Sequence, residues 1–456
     1  MRLLKTIFLV SLAFGLIKQV QGQTAPPQLD TRIYEIITNT SADRIENDIQ
    51  TLVNFGTRNT FSDTVSNTRG IGAARRWIKA EFDKISKERG GCLEVFHQKD
   101  LVSKEGNRRV PKDAYVVNVV AVLRGEVYPN SYVMMSGDID SRASNTMNYE
   151  IDAPGANDNA SGMAGTIEAA RVLSKYKFKH SIAFVGLSGE EQGLFGGAGL
   201  AKYAQENNWD IVGVLNNDMI GNIEGVDGVI DNRTFRIFSE PTPANESDQL
   251  RRTRRFIGGE VDGNSRQLAR YIHKQVKTYM PEMNPMMIYR LDRFGRGGHH
   301  RPFNDLGYAG VRIMEAHENY NRQHQDIREE NGIKYGDVIE GVNFDYAKKL
   351  TAVNEISLAG LAWAPPAPKD VRIGGAVRPS TTLIWKESND LNIAGYKVYF
   401  RLTTSPTWDH FVYVEGVNGH TLDGIVIDNY YFGVAAVGKD GHESAVVFPY
   451  RQIRRR

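Results

Sequence analysis

Four strand-like apolar runs in this sequence lead directly into acidic or imidazole side chains. The runs and the polar residues after them are 132–135 with Asp138, 182–187 with Glu190 and Glu191, 211–215 with Asp218, and 311–314 with Glu315, His317 and His324. Strand and helix patterns alternate here, which predicts an α/β fold: a mostly parallel central sheet with helices on both faces. The carboxyl ends of parallel strands meet at one edge, so these side chains are expected to lie together. Several carboxylates buried there need a neutralising cation, which predicts a metal centre.

The segment Ala153–Gly162 consists of small and turn-forming residues with a single charged one, Asp158. A helical pattern follows it, and Asn159 or Ser161 is placed to cap that helix. Alone, Asp158 would be read as a turn or capping residue. Beside the strand ends, it is predicted instead to bridge two metal ions that polarise a carbonyl and activate a water. Glu190, adjacent to Glu191, is placed to accept the proton from that water.

The N-terminus predicts export. Arg2 and Lys5 precede a short apolar run that ends near Gly22, so residues 1–22 are predicted to be a secretory signal peptide. That run is too short to span a bilayer well, and no later stretch is apolar enough, so no membrane span is expected. The net charge of +2 gives no reason to expect nucleic acid as a partner. The mature protein is predicted to be secreted or periplasmic.

Beyond the leader, the sequence predicts two domains. The predicted segments are the α/β domain at 23–363, a Pro-rich linker at 364–368, a second domain at 369–450 and a basic tail at 451–456. Short alternating strands separated by turn residues predict that the second domain is a small all-β sandwich. Trp385 and the strand holding Tyr431 resemble the core Trp and corner Tyr of fibronectin type III domains. We expect this domain to act as a spacer, or to contact a surface, a polysaccharide or the substrate.

The motifs of the first domain resemble peptidase family M28, in particular its bacterial secreted members. The resemblance covers roughly residues 40 to 360 and is carried by Gly137–Arg142, Ala153–Gly162, Gly189–Gly193, Asn217 with Asp218, and His324. It implies an aminopeptidase that uses two zinc ions on peptide substrates. The roles it implies are Asp158 as the bridge, Asp218 as a ligand of the first zinc, Glu191 and His324 as ligands of the second, Glu190 as the general base, and Asp140 as the residue that orients a His ligand of the first zinc.

Two departures from the family pattern concern the first metal. Asp138 stands where the family has His, and His299, before His300, stands where the family often has Asp. If Asp138 is a ligand, the first metal has only oxygen donors, which suits manganese, magnesium or calcium better than zinc. We therefore expect either that His299 supplies a nitrogen or that the first site is weak or differently metallated. His317 is a further candidate near the metals.

The predicted function is an exported metallo-aminopeptidase in which a metal-bound hydroxide attacks the substrate carbonyl. One alternative is a glutaminyl cyclase, which resembles M28 peptidases but uses one zinc. Another is a catalytically impaired binding protein of the same fold. Retention of Glu190 and of the carboxylates around it favours an enzyme.

Overall fold

The structure is a computed structural model that describes residues 25–26 and 29–453. The predicted signal peptide lies outside the described residues, as do residues 454–456. Within the described residues, no helix has the length and apolar character needed to cross a membrane.

A sheet of eight strands forms the centre of the first domain. Its strands are β1 (Leu93–Val102), β2 (Ala114–Leu123), β3 (Tyr128–Asp138), β4 (His180–Leu187), β5 (Asp210–Asn217), β6 (Thr234–Ser239), β7 (Asn284–Ile288) and β8 (Gly310–Glu315). Their order is β1-β2-β4-β3-β5-β8-β6-β7. The four neighbours β4, β3, β5 and β8 run parallel, while β2 and β6 flank them in the antiparallel direction. The predicted mostly parallel sheet is therefore confirmed.

Helices cover both faces of this sheet. They are α1 (Thr31–Asn39), α2 (Ala42–Val53), α3 (Gly70–Glu88), α4 (Gly162–Leu173), α5 (Glu190–Gly193), α6 (Phe195–Glu206), α7 (Asp248–Ile257), α8 (Asn264–Tyr279), α9 (Arg301–Asp305) and α10 (Phe344–Trp363). Alternate residues of β2 face opposite sides: Val119 belongs to the core cluster that includes residues of α3, and Val120 belongs to the cluster that includes residues of α6. The sheet is thus buried on both faces, which explains its apolar strands.

The region 223–310, for which the sequence predicts only one helix and a loop, contains β6 and β7 as well as α7, α8 and α9. Strand β7 includes Pro285, a residue that argues against a central strand. The structure places β7 at the end of the sheet, where an edge strand tolerates proline. After β8 a short hairpin follows, made of β9 (Arg328–Glu330) and β10 (Ile333–Tyr335).

The second domain is the predicted small all-β sandwich. Its strands are β11 (Arg372–Gly374), β12 (Thr381–Ile384), β13 (Ile393–Leu402), β14 (His410–Val414), β15 (Gly419–Leu422), β16 (Tyr430–Gly438) and β17 (Arg451–Gln452). They form sheets of four and three strands that share a core containing Leu383, Trp385 and Phe432. Because β17 pairs with β11, residues 451 and 452 belong to the sandwich, although the sequence predicts a tail there.

Buried ion pairs join the two domains. Asp262, between α7 and α8, accepts hydrogen bonds from Arg270 at 2.7 Å and from Arg401 of β13 at 2.9 Å. Glu443 of the sandwich binds Lys274 of α8 and, at 2.8 Å, Lys397 of β13. Both carboxylates are buried and in contact with cations from either side, so the sandwich is fixed against α8.

Candidate active site

Strand direction brings the predicted site residues to one edge of the sheet. Asp138 ends β3, Glu190 and Glu191 begin α5 just after β4, and Asp218 follows β5. Loops deliver Asp158 and His324 to the same edge. The side chains that the sequence places at strand ends are therefore close together, as parallel pairing of these strands requires.

One group of side chains is arranged to hold a metal ion. Nε2 of His324 lies 2.9 Å from Oδ2 of Asp158 and 3.2 Å from Oε1 of Glu191. The ligand atoms of these three residues lie within 4.8 Å of one another. A nitrogen and two carboxylate oxygens, with a position left for water or substrate, form a donor set typical of catalytic zinc. Burial alone would lower the pKa of His324, but Glu191 and Asp158 raise it to about 9.

A tight turn presents Asp158 to this group. Residues 156–161 form this turn, in which Asp158 and Asn159 have non-helical backbone angles, and the Asp158–Asn159 peptide is cis. The carboxylate of Asp337 accepts the backbone N–H of Asn157 at 2.8 Å and that of Asp158 at 2.6 Å. Asn159 accepts the N–H of Gly162 at 3.0 Å and so caps α4, whereas Ser161 makes no side-chain cap. Asp158 is therefore free of the capping role.

Arg58, which the sequence analysis missed, holds two site loops together. It is fully buried and donates to the carbonyl of Ile139 at 2.8 Å and to that of Gly155 at 2.9 Å, and it also binds the carbonyl of Pro154. One loop continues into Asp140 and the other into Asp158. The cation thus fixes the spacing of these loops without touching a ligand atom.

Asp140 positions the turn that carries Glu190 and Glu191. Its two oxygens accept the backbone N–H groups of these residues, each at 3.2 Å. Here its hydrogen bonds orient α5, whereas the family resemblance implies that it orients a histidine. Burial, followed by the neighbouring Glu191, raises the pKa of Glu190 well above its ordinary range.

The two positions that depart from the family pattern contact each other. Nδ1 of His299 lies 2.5 Å from Oδ1 of Asp138, and both side chains are buried. The second oxygen of Asp138 accepts a hydrogen bond from Asn159 at 2.8 Å. The acid and the imidazole at these two positions therefore form a buried hydrogen-bonded pair that joins the two loops.

Arg312 of β8 forms an ion pair with Asp218. Its guanidinium lies 2.8 Å from Oδ2 of Asp218 and 3.2 Å from Asp292, and it is fully buried. Burial works to lower the pKa of Arg312, but Asp218 and Asp292 keep it above its ordinary range. The side chain is a permanent cation beside the carboxylate expected to bind the first metal.

The donors expected for the first metal are less closely grouped. In the described part of the chain, the only group whose His, Cys or carboxylate donors lie within 4.8 Å of one another is Asp158, Glu191 and His324. Asp138 is engaged by His299 and Asn159, and Oδ2 of Asp218 by Arg312. Nε2 of His299 and Oδ1 of Asp218 are buried and have no hydrogen-bond partner among the described residues, so they are the donors left for a second ion.

The remaining histidine candidates lie outside the metal group. His300 is buried and its Nε2 lies 2.8 Å from the carbonyl of Leu291. His317 is partly exposed, 3.9 Å from Asp231. Neither Arg312 nor Arg58 is among the site residues predicted from the sequence. For Arg312 a signal exists, because an arginine between Val311 and Ile313 in a buried strand indicates that a buried acid faces it.

Comparison with known proteins places this site in a family. A model of "Peptidase family M28" matches residues 118–338. A "Probable zinc metalloprotease" of Pyrenophora tritici-repentis is 37% identical over 424 residues, covering 92% of this chain and 98% of the relative. The chain belongs to peptidase family M28. Zinc is the metal that this membership implies, and the donor set of Asp158, Glu191 and His324 suits it.

Solved structures share the fold of this M28 zinc metalloprotease. The Legionella pneumophila LapA aminopeptidase matches with a TM-score of 0.53 at 17% identity, over 76% of this chain and 79% of that one. A glutaminyl cyclase of Macrostomum lignano matches with a TM-score of 0.51 at 14% identity, over 74% and 94%. Such low identities establish a common fold, and the choice of reaction has to be argued from the site.

Proposed function

We propose that this M28 zinc metalloprotease is an exported aminopeptidase that removes N-terminal residues from peptides. The observation that supports it best is the placement of Glu190 on the same helical turn as Glu191, beside Asp158 and His324. A metal group with an adjacent carboxylate base is the arrangement that hydrolysis of a peptide bond needs. Export rests on the leader at residues 1–22.

In this proposal the chain supplies the proton transfer and the substrate orientation. A zinc ion bound by Asp158, Glu191 and His324 would polarise the scissile carbonyl and make water more acidic. Glu190 accepts the proton of the attacking water and returns it to the leaving amine. Asp140 holds Glu190 in position through the backbone. The carboxylates around the metal group would receive the free ammonium of the substrate.

The test is hydrolysis of a panel of aminoacyl p-nitroanilides by metal-loaded enzyme, beside the same compounds with an acetylated amine. We expect cleavage of the free amines only, because the ammonium is part of the recognised group. The matched control is Glu190→Gln, which keeps the side-chain volume but cannot accept a proton. Equal cleavage of free and acetylated substrates would contradict the exopeptidase assignment, and full activity of Glu190→Gln would remove Glu190 as the base.

A second candidate function, cyclisation of N-terminal glutamine, is favoured by one observation. Among the described residues there is one close group of metal donors, and glutaminyl cyclases resemble M28 peptidases but use a single zinc ion. Mass spectrometry of a peptide with N-terminal glutamine separates the two reactions. Loss of ammonia from an otherwise intact peptide indicates cyclisation, whereas release of free glutamine indicates aminopeptidase activity.

Export is tested by N-terminal sequencing of the mature protein, for which we expect a start after Gly22.

A further inference from the structure

Arg75 of α3 is a buried cation whose hydrogen-bonding groups are unused. Only 7% of the residue is exposed. Its Nε and Nη2 atoms are buried and have no hydrogen-bond partner among the described residues. Arg58, which is fully buried, uses its Nε and both terminal nitrogens on backbone carbonyls. Burying an unpaired guanidinium is unfavourable, so a ligand that pairs with it would be bound favourably.

The guanidinium lines a cavity of about 820 Å³. Phe61, Tyr115 and Tyr149 supply apolar surface. Two further cations line the cavity: Lys112, 4.4 Å from the ring centre of Tyr149, and Arg69, which is paired with Asp152 at 2.7 Å. A volume of this size is in the range of small-molecule and peptide sites, which combine apolar walls with a few polar groups.

Among the described residues, the acidic ones of the cavity wall form no ion pair with Arg75. The carboxylate that acts on its charge from a distance is Asp140, whose oxygens accept the backbone N–H groups of Glu190 and Glu191. Oδ1 of Asp63 accepts the N–H groups of Val65 and Ser66, at 2.6 and 3.0 Å. Asp113 accepts the N–H of Lys104 at 2.7 Å. Glu150 also lines the wall, and the described structure shows no ion pair between it and Arg75. Burial lowers the pKa of Arg75 to about 10, so it remains positively charged at neutral pH.

The cavity adjoins the candidate active site. Val117 in its wall accepts a hydrogen bond at 2.8 Å from the hydroxyl of Ser188, two residues before Glu190. Thr57, also in the wall, pairs with Ala153 in the segment that leads to Asp158. The cavity wall is therefore joined directly to the loops that carry Glu190 and Asp158.

We propose that Arg75 binds a carboxylate of the substrate in this cavity, so that the enzyme prefers short peptides carrying a free carboxylate. This rests on the proposed peptidase function and refines it. The carboxylate is either the C-terminus of a short peptide or an acidic side chain. Both present two oxygens to the fork of N–H groups that a guanidinium offers.

Kinetics with matched peptides test the proposal. The substrates are Leu-Gly-Gly as the free acid, Leu-Gly-Gly amide, and Leu-Glu-Gly amide. A charge-assisted hydrogen bond contributes roughly 10-fold to 100-fold in kcat/KM, so the wild type should favour a carboxylate-bearing peptide over Leu-Gly-Gly amide by about that factor. Preference for the free acid identifies the C-terminus, and preference for Leu-Glu-Gly amide identifies a side chain. In Arg75→Met the preference should vanish while the amide is cleaved as before. An unchanged acid-to-amide ratio in Arg75→Met overturns the proposal.

Thermal unfolding gives a readout that does not depend on hydrolysis. The free acid should raise the Tm of the wild type more than the amide does, and this difference should be absent in Arg75→Met. If no peptide is cleaved but the difference persists, the proposed reaction fails and the carboxylate site stands. Without peptide, Arg75→Met should be at least as stable as the wild type, because it buries no unpaired charge. A large drop in its Tm, reproduced by Arg75→Gln, would show that the guanidinium is structural and overturn the proposal.

Discussion

The metal content of the purified enzyme is predicted to be one tightly bound ion per chain. Arg312 decides this number. An ion bound to Oδ2 of Asp218 would lie about 4 Å from the guanidinium, since the arginine nitrogen is 2.8 Å from this oxygen. With an effective dielectric constant of about 20, the repulsion between a divalent ion and a unit charge at this distance is about 8 kcal/mol. Compared with a neutral residue at position 312, the second ion is disfavoured by about a million-fold in affinity.

The assay is elemental analysis of gel-filtered protein, with native mass spectrometry to count ions per chain. His324→Ala should lose the ion because it removes the nitrogen donor of the metal group. Asp218→Asn is the matched test and should retain one ion, because Asp218 binds Arg312 and is not one of the three donors. Two tightly bound ions in the wild type, falling to one in Asp218→Asn, would refute the reasoning about Arg312.

Three further predictions concern the base, the loop spacing and the domain interface. Glu190→Gln should lower kcat by about 100-fold to 10,000-fold without changing the metal content, measured on the same samples. Arg58→Met should lower the free energy of unfolding in urea by about 3 kcal/mol or more, because buried carbonyls lose their donor. Arg75→Met, at a site that is also buried, is the control and should not lower the free energy of unfolding. The ion pairs of Glu443 lower its pKa from an ordinary 4.5 to about 2 despite its burial, so its stabilisation is present above pH 4.5 and is lost as pH falls towards 2. That difference corresponds to about 3 kcal/mol, and Glu443→Gln should flatten the acid limb of unfolding measured against pH.

Much of the fold follows from local patterns. The runs 182–187 and 211–215 are apolar along their whole length, which is how buried parallel strands differ from half-exposed ones. Strand β7 was not predicted because Pro285 is unfavourable in a central strand, and the sequence does not reveal that this strand lies at the edge of the sheet. The sandwich strands with clear alternation were found, and the two-residue β17 was too short to carry any period.

The candidate site, like the fold, was predicted in part. Asp158, Glu191 and His324 follow from strand ends and motif spacing. The partners of Asp138 and Asp218 could not be predicted in this way, because they are distant in sequence. Asp138 and His299 are 161 residues apart, and Arg312 lies on a different strand from the loop of Asp218. Sequence reasoning found both departures from the family pattern and offered His299 as a possible nitrogen donor to the first metal. Only the three-dimensional arrangement shows that His299 contacts Asp138.

The ion pairs between the domains bear on how modular this protein is. Asp262 and Glu443 each bind cations from both domains, and both carboxylates are buried. Cutting the chain at the linker would uncover α8 and leave Arg270 and Arg401 on separate pieces, with a single carboxylate to share. The sandwich is therefore not an interchangeable attachment. Transplanting it onto another catalytic unit would require a matching set of charges on the new partner, so the two domains are constrained to change together.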